Sequence, residues 1–279
     1  MIALGRYRAQ RLAKFVVWGA ALATLGVLFM VILHILTEGL PYVTWEFLAG
    51  SPRRMGREGG ILPMIVGTLM LTGVAVAIAT PLGVGTAIYL TEYTRENRIT
   101  RFIRFGTESL SGVPSIIFGL FGFVFFVITL GMGWSILSGG LTLAAMILPT
   151  IIRTSEEAIR SVPRVYRDVS FSLGATRWQT VTRSVLPTAI PGIATGVILG
   201  IGRCVGETAA VILTAGSALR MPITIFDPTR TMAVHFYILA REGISTEMAY
   251  ASGAVLVIAI LIVNVLANEA MRRLAASHR

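Results

Sequence analysis

An all-α protein of six membrane-crossing helices, with both termini on the cytoplasmic side, is the fold class this sequence predicts. Three observations predict it. Apolar residues make up 54% of the 279 and charged ones only 14%, against about 25% charged in soluble domains. Six apolar runs, about 15 to 36, 61 to 90, 108 to 132, 139 to 158, 190 to 215 and 249 to 268, have roughly the ~20 residues a helix needs to cross ~30 Å of hydrocarbon. The runs are continuous, whereas a barrel would show alternating segments of ~10 residues, so helices that satisfy their own backbone are the way across.

The third observation is where the cations fall. Threading six crossings gives one side Arg6, Arg8, Arg11, Lys14, Arg95, Arg98, Arg101, Arg104, Arg153, Arg160, Arg164, Arg167, Arg177, Arg183, Arg272, Arg273 and Arg279. The other side receives only Arg53, Arg54, Arg57, Arg220, Arg230 and Arg241. The positive-inside rule makes the richer side cytoplasmic. Orientation and contact with anionic lipid headgroups account for the net charge of +10, so no nucleic-acid partner is expected.

Residues 1 to 14 read as a basic cytoplasmic lead, and 15 to 279 as one transmembrane domain. The first run is longer than a signal-peptide core and ends at Thr37, Glu38 and Gly39 without a small-residue cleavage site, so it is expected to stay in the mature protein. In the following loop, Tyr42, Trp45 and Phe47 have the character of interfacial anchors. The second run carries Pro63, Pro81, Gly83 and Gly85, which predicts kinks within a bundle that satisfies the freed backbone. Next, Arg95, Arg98, Arg101 and Arg104 form a basic stripe backed by Ile99, Phe102 and Ile103, which suits a helix on the membrane surface.

The third run has Pro114 near its entry, with Gly112, Gly119 and Gly122 for close helix approach. In the fourth, Arg153 follows Pro149 by four residues and is expected near the carbonyls that the proline disturbs. In the fifth, Gly192, Gly196, Gly200, Arg203 and Glu207 are separated by four, four, three and four residues. On one helix they share one stripe, and two overlapping small-xxx-small spacings mark it as packed on protein. An ionisable group near mid-membrane costs about 2.5 to 3.5 kcal/mol on insertion scales. Two reasons for keeping Arg203 and Glu207 stand open, a structural ion pair and a place on a transport pathway. Cys204 reads as a small packing residue. In the sixth run Asn264 and Asn268 share a face as candidate interhelical hydrogen-bonders.

Between the fourth and fifth runs lies a polar interlude, Ser161 to Pro191. Pro163 suits a first helical turn, Val165, Val169 and Leu173 recur every fourth residue, and Gly174 supplies a stop. Thr176 and Gln179 then form a capping box, Trp178, Val181 and Val185 share a face, and Pro187 is expected to end the second helix. From physics alone, the apolar side of this element either folds back on the bundle and headgroups or docks on a partner.

The segment Asp168 to Pro187 resembles the EAA loop of ABC-transporter permeases, a pattern of Glu-Ala-Ala, three residues, Gly, nine residues, Ile-x-Leu-Pro. Gly174, Leu186 and Pro187 match it, whereas Asp168, Val169, Ser170 and Ser184 stand where Glu, Ala, Ala and Ile are usual. GVPSIIFGLFG from Gly112, LPTIIRTSEEAIRSVP from Leu148, LGATRWQTV from Leu173 and GRCVGETAA from Gly202 are similar to the phosphate ABC-transporter permease of the PstA type. The resemblance covers the chain from about residue 60 onward. It implies a six-helix type I importer permease with a MetI-like fold and a companion PstC-type permease. It also implies an ATP-binding subunit dimer at the cytoplasmic face, an extracytoplasmic phosphate-binding protein, and inorganic phosphate as cargo. By the same resemblance, about 161 to 187 is the coupling loop, with Asp168, Gly174, Ala175, Thr176, Arg177 and Trp178 against the ATPase. It also puts Arg153, Arg203 and Glu207 on the conducting path. There, Arg203 and Arg153 would attract the anion. Glu207 would hold Arg203 or accept a hydrogen bond from a protonated phosphate oxygen.

No cofactor is expected. The only lysine, Lys14, follows Ala13, so no phosphate-binding Gly-Lys loop exists and ATP must be hydrolysed elsewhere. His34, His235 and His278 lack metal-ligand spacing. The rival readings are a permease for another oxyanion (molybdate, sulfate or phosphonate), a secondary transporter, which would be expected to show repeated halves, and a membrane enzyme or scaffold.

Overall fold

The computed structural model describes the backbone of residues 2 to 276 and the side chains of 10 to 266, 268 and 269. Helix α1, Ile2–Gly39, takes in the basic lead, and a short helix α2, Trp45–Ala49, follows with Thr44 Oγ1 accepting from Phe47 N. A two-residue hairpin, β1 (Pro52–Arg53) with β2 (Glu58–Gly59), leads to α3, Leu62–Ile88. Among the described residues five helical spans are long and apolar enough to cross a membrane, and there are six if the bent pair Arg98–Ser111 and Ser115–Thr129 is counted as one span.

Helix α3 runs through Pro81 and ends in a wider, π-helical turn at Tyr89–Tyr93. Helix α4, Arg98–Ser111, is closed by a capping box between Asn97 and Thr100. The third span departs from expectation. Instead of starting near residue 108, the chain turns by 104° between α4 and α5, Ser115–Gly122, which continues as a π-helical turn to Thr129. Pro114 holds extended backbone (ψ 142°) and has no N–H to carry the helix across. Helix α4 therefore stands at a steep angle to α5. It presents Arg98, Arg101, Ile99, Phe102 and Phe105 outward and turns Arg104 towards the bundle.

Helix α6, Ile136–Ser161, is the centre of the fold and passes through Pro149 without a break. It packs along α3, where an added Cβ at Gly140 would meet Val74 Cγ1 at 2.5 Å and one at Gly83 would meet Ile151 Cγ2 at 2.7 Å. Leu71, Ala75, Ala79, Leu143, Ile147 and Ile151 fill the space between them. The first N–H groups of α6 are held by a distant loop: Ile136 N donates to Asp227 O at 3.0 Å and Leu137 N to Ile225 O at 2.8 Å. These bonds supply partners that a helix start otherwise lacks.

Next come α7, Arg164–Ser172, and α8, Arg177–Thr180. A π-helical turn, Val181–Val185, joins α8 to α9, Leu186–Val205, so a single span runs from Arg177 to Val205. Pro187 does not end the second helix as expected. Leu186 N reaches back to Val181 O, and this wider turn carries the chain into Pro187, which sits in the first turn of α9 where its missing N–H is tolerated. The fifth run also stops early: α9 closes at Gly206, and a separate α10, Ala209–Thr214, packs on α5. Helix α11, Met232–Arg241, and α12, Thr246–Ala276, complete the chain, with α12 packed against α1, α9 and α11. Asn264 faces α9, its Oδ1 3.9 Å from a Cβ added at Gly202.

Candidate transport pathway and coupling surface

The glycine stripe of α9 lies against α6 as its spacing requires. An added Cβ at Gly192 would meet Ala158 Cβ at 2.5 Å, one at Gly196 would overlap Thr154 Oγ1, and one at Gly200 would find Ile147 Cδ1 at 3.4 Å. The fit loosens towards Gly200, and three residues further on Arg203 is exposed. Cys204, next to it, is buried as a packing residue.

Glu207 leaves the stripe. Because α9 ends at Gly206, the four-residue spacing no longer brings Glu207 beside Arg203, and no ion pair joins the two among the described residues. The Glu207 carboxylate instead accepts from Thr208 N (3.2 Å) and Ala210 N (3.3 Å), at the start of α10. A carboxylate is favoured there because it meets unpaired N–H groups. The structural ion pair is thereby set aside. The guanidinium of Arg203 stands open and half-buried Glu207 is anchored to backbone close by.

Arg153 is also exposed, 64% of its side chain being accessible, and lies 3.8 Å from Glu157 one turn on. It is not beside the carbonyl that Pro149 frees, because that carbonyl belongs to residue 145, two turns away along an unbroken helix. Arg153 lines a cavity of about 180 Å³ between α4 and α6, with Arg104, Glu108, Glu156, Glu157 and Arg160. Within it Glu156 Oε1 accepts from Arg104 Nε at 2.8 Å and from Arg160 Nη2 at 2.5 Å. The structure brings Arg153 and Arg203 onto the packed pair α6 and α9, both on open faces.

The interlude forms the helix-Gly-helix element read from the sequence. Gly174 takes a left-handed φ of +80°. Its N–H reaches Phe171 O (2.9 Å) and that of Ala175 reaches Ser170 O (3.1 Å), the two bonds that close a helix on a left-handed glycine. The Thr176–Gln179 capping box opens α8. Val181 and Val185 pack inward, whereas Trp178, expected with them, is exposed. Val165, Tyr166, Val169, Phe171 and Leu173 are exposed as well, and helix α7 buries no residue. The apolar side therefore does not fold back on this chain's bundle. Asp168, Gly174, Thr176, Arg177 and Trp178 all lie on the open surface, with Ala175 half-buried.

One group of residues was not singled out by the sequence. Arg167 Nη2 donates to Glu92 Oε1 at 2.6 Å and Nε to both carboxylate oxygens at 3.1 and 3.2 Å, across a separation of 75 residues. Its signal was faint: Glu92 is an acidic residue at the very end of an apolar run, but nothing local names its partner.

At the opposite end of the bundle, Arg230 and His235 are buried, and Arg230 Nε donates to Ser217 O at 3.0 Å. Burial, with a further push from the Arg230 charge, takes the His235 imidazole down to about 4. It is therefore neutral at neutral pH. Nearby, Asp227 Oδ2 accepts from Ile223 N and Thr224 N, and these backbone bonds hold its carboxyl below the usual range. Among the described residues no cluster of three or more His, Cys, Asp or Glu side chains is arranged to hold a metal ion.

Comparison with known proteins bears directly on this arrangement. Residues 79–279 match the family described as "Binding-protein-dependent transport system inner membrane component". The probable ABC transporter permease protein YqgI of Bacillus subtilis is 36% identical over 84% of this chain and 85% of its own. The phosphate transport system permease protein PstA 1 of Mycobacterium tuberculosis is 37% identical over 79% of this chain and 73% of its own. In fold, the chain superposes on a bacterial alginate ABC transporter, solved in complex with an alginate-bound periplasmic protein. The TM-score is 0.70 at 16% identity, covering 93% of this chain and 94% of the other. This chain belongs to the family of binding-protein-dependent transport system inner membrane components and, within it, stands with the PstA-type permeases.

Proposed function

We propose that this chain is the permease subunit of an ATP-driven importer of inorganic phosphate, forming half of the pathway beside a companion PstC-type permease. The arginine-rich end, with both termini, faces the cytoplasm. A dimer of separate ATP-binding subunits docks there on the surface around Asp168, Gly174, Ala175, Thr176, Arg177 and Trp178. An extracytoplasmic phosphate-binding protein delivers cargo to the other end. The chain itself is not an enzyme.

The observation that carries this reading is Arg203, exposed and in no ion pair among the described residues, in the last turn of a membrane-spanning helix. An arginine facing lipid would cost up to about 2.5 to 3.5 kcal/mol at mid-membrane and less towards a helix end. A protein neighbour or an aqueous path removes that cost, and a guanidinium offers phosphate a permanent charge and a fork of donors. Arg153 supplies a second open guanidinium on the helix packed against α9. The resemblance to phosphate permeases supports phosphate over molybdate, sulfate or phosphonate.

Reconstitution with the companion permease, the ATPase and the binding protein tests the reading. Labelled phosphate uptake should require ATP and exceed sulfate uptake, and uptake by this chain alone without ATP would overturn it. Arg203→Gln and Glu207→Gln should each reduce phosphate uptake at least tenfold, the scale of losing a charge-assisted contact of about 1.5 kcal/mol. Full transport in both variants would remove these residues from the pathway.

A further inference from the structure

Helix α7 has an unusual mechanical position. It carries the open apolar side of the interlude, yet buries no residue of its own. Apolar packing therefore does not fix it to the membrane-spanning helices. Among the described residues, the side chain that ties it to α3 and to the end of α6 is Arg167, which is only 17% exposed and sits next to the surface residue Asp168.

The Arg167 guanidinium holds two other elements at once. Its Nε and Nη2 grip the Glu92 carboxylate, itself 12% exposed, at the end of α3. Nη2 also donates to Ile159 O at 3.0 Å, and Nη1 to Val162 O at 2.9 Å. These carbonyls lie at the C-terminal end of α6, at the negative end of its dipole and beyond the regular ladder of helical hydrogen bonds. A planar fork spreads its donors over three nitrogens to meet a carboxylate and two carbonyls together, whereas an ammonium gathers its three donors on one nitrogen and cannot cover the same positions. A second tie, Thr180 Oγ1 to Ser170 Oγ at 3.0 Å, joins α7 to the start of the span Arg177 to Val205 and reaches neither α3 nor α6.

We infer that the Arg167–Glu92 pair is the strut that transmits movement of the coupling surface to α3 and α6, which makes Arg167 and Glu92 positioning residues for transport. The inference rests on the coupling role proposed above for residues 161 to 187. Because both side chains are largely shielded, the strut acts within the chain and does not contribute the surface that the ATPase grips. Breaking it should leave the ATPase bound but its stroke poorly delivered.

The test uses the complete reconstituted complex and reads two quantities, the amount of ATPase retained on the permease and the phosphate transported per ATP hydrolysed. Arg167→Lys and Glu92→Gln should retain the ATPase as the parent does, while phosphate per ATP falls about fivefold or more. The double variant should be no worse than the weaker single, since one strut is broken once. Unchanged phosphate per ATP in both singles, a fall that merely tracks lost ATPase, or additive losses in the double variant would each overturn the inference. Trp178→Ala separates this from the reading beneath it. If Trp178→Ala loses ATPase while the strut variants couple normally, only the strut falls. If Trp178→Ala keeps both ATPase and coupling, the docking surface itself is misplaced and the strut falls with it.

Discussion

Gly196→Ala and Gly200→Ala make a matched pair of perturbations, one methyl group each, on the same face of the same helix. At Gly196 the new Cβ would overlap Thr154 Oγ1 and lie 2.8 Å from Thr154 Cβ. Thr154 cannot simply rotate away, because its hydroxyl donates to Thr150 O at 2.8 Å and also approaches Ile151 O at 3.2 Å. Relief requires breaking that bond, at about 1 kcal/mol, or separating α6 from α9, an overpacking cost of about 1 to 3 kcal/mol. Replacing a helical glycine by alanine returns up to about 1 kcal/mol of backbone entropy. The net for Gly196→Ala is a destabilisation of up to about 2 kcal/mol. At Gly200 the nearest atom is Ile147 Cδ1 at 3.4 Å, an ordinary contact, so only the favourable entropy remains and the change should be neutral or stabilising. Thermal unfolding of the purified complex in detergent should show a lower midpoint for Gly196→Ala alone. Thr154→Ala on the Gly196→Ala background should recover part of the loss, since it removes Oγ1 but leaves Cβ. Equal shifts at both glycines would refute the geometry of the α6–α9 contact.

Two further outcomes are expected. The His235 imidazole titrates near 4 when folded and near 6.5 when free, so between those values the unfolded chain binds more protons and acid destabilises the fold. The loss begins as pH drops below about 6.5 and should reach about 2 kcal/mol at pH 5. It is read as the fall in unfolding midpoint from pH 7.5 to pH 5, and His235→Gln with the same fall would contradict the assignment. At the coupling surface, Gly174 has a left-handed φ with open space around it. Gly174→Asp therefore costs only about 1 to 2 kcal/mol of backbone strain while adding a charge to the docking face. Membrane levels should hold while ATP hydrolysis is uncoupled from phosphate uptake, and unchanged transport would end the coupling role of Gly174.

The features legible in the sequence were those written in local spacing. Apolar run lengths gave the spans, the Gly192, Gly196 and Gly200 period gave the face that meets α6, and Thr176 with Gln179 gave the cap of α8. The misreadings share one cause. In an apolar run, a glycine that packs and a glycine that terminates look alike, so Gly206 passed as part of a helix it ends, and Glu207 was placed on a stripe it leaves. Prolines were equally ambiguous: Pro114 marks a 104° turn, Pro149 none, and Pro187 is accommodated by a wider turn before it. Which outcome occurs depends on whether neighbouring turns can rearrange their hydrogen bonds, a property of the packed bundle. Ties between distant charges, such as Arg167 with Glu92 or Arg104 with Glu156, leave no periodic trace at all.

Helix α6 is held at both tips. The loop carbonyls of Ile225 and Asp227 take its first N–H groups, and Arg167 takes carbonyls at its far end. Its 26 residues span about 39 Å. A rod clamped this way has no free end to unwind, so a push at one tip cannot dissipate as fraying and must tilt or twist the whole rod. Arg153 rides on its flank as a gear tooth would. Its position against α9, the helix that carries Arg203, is then set jointly by what presses on the loop at one end and on α7 at the other.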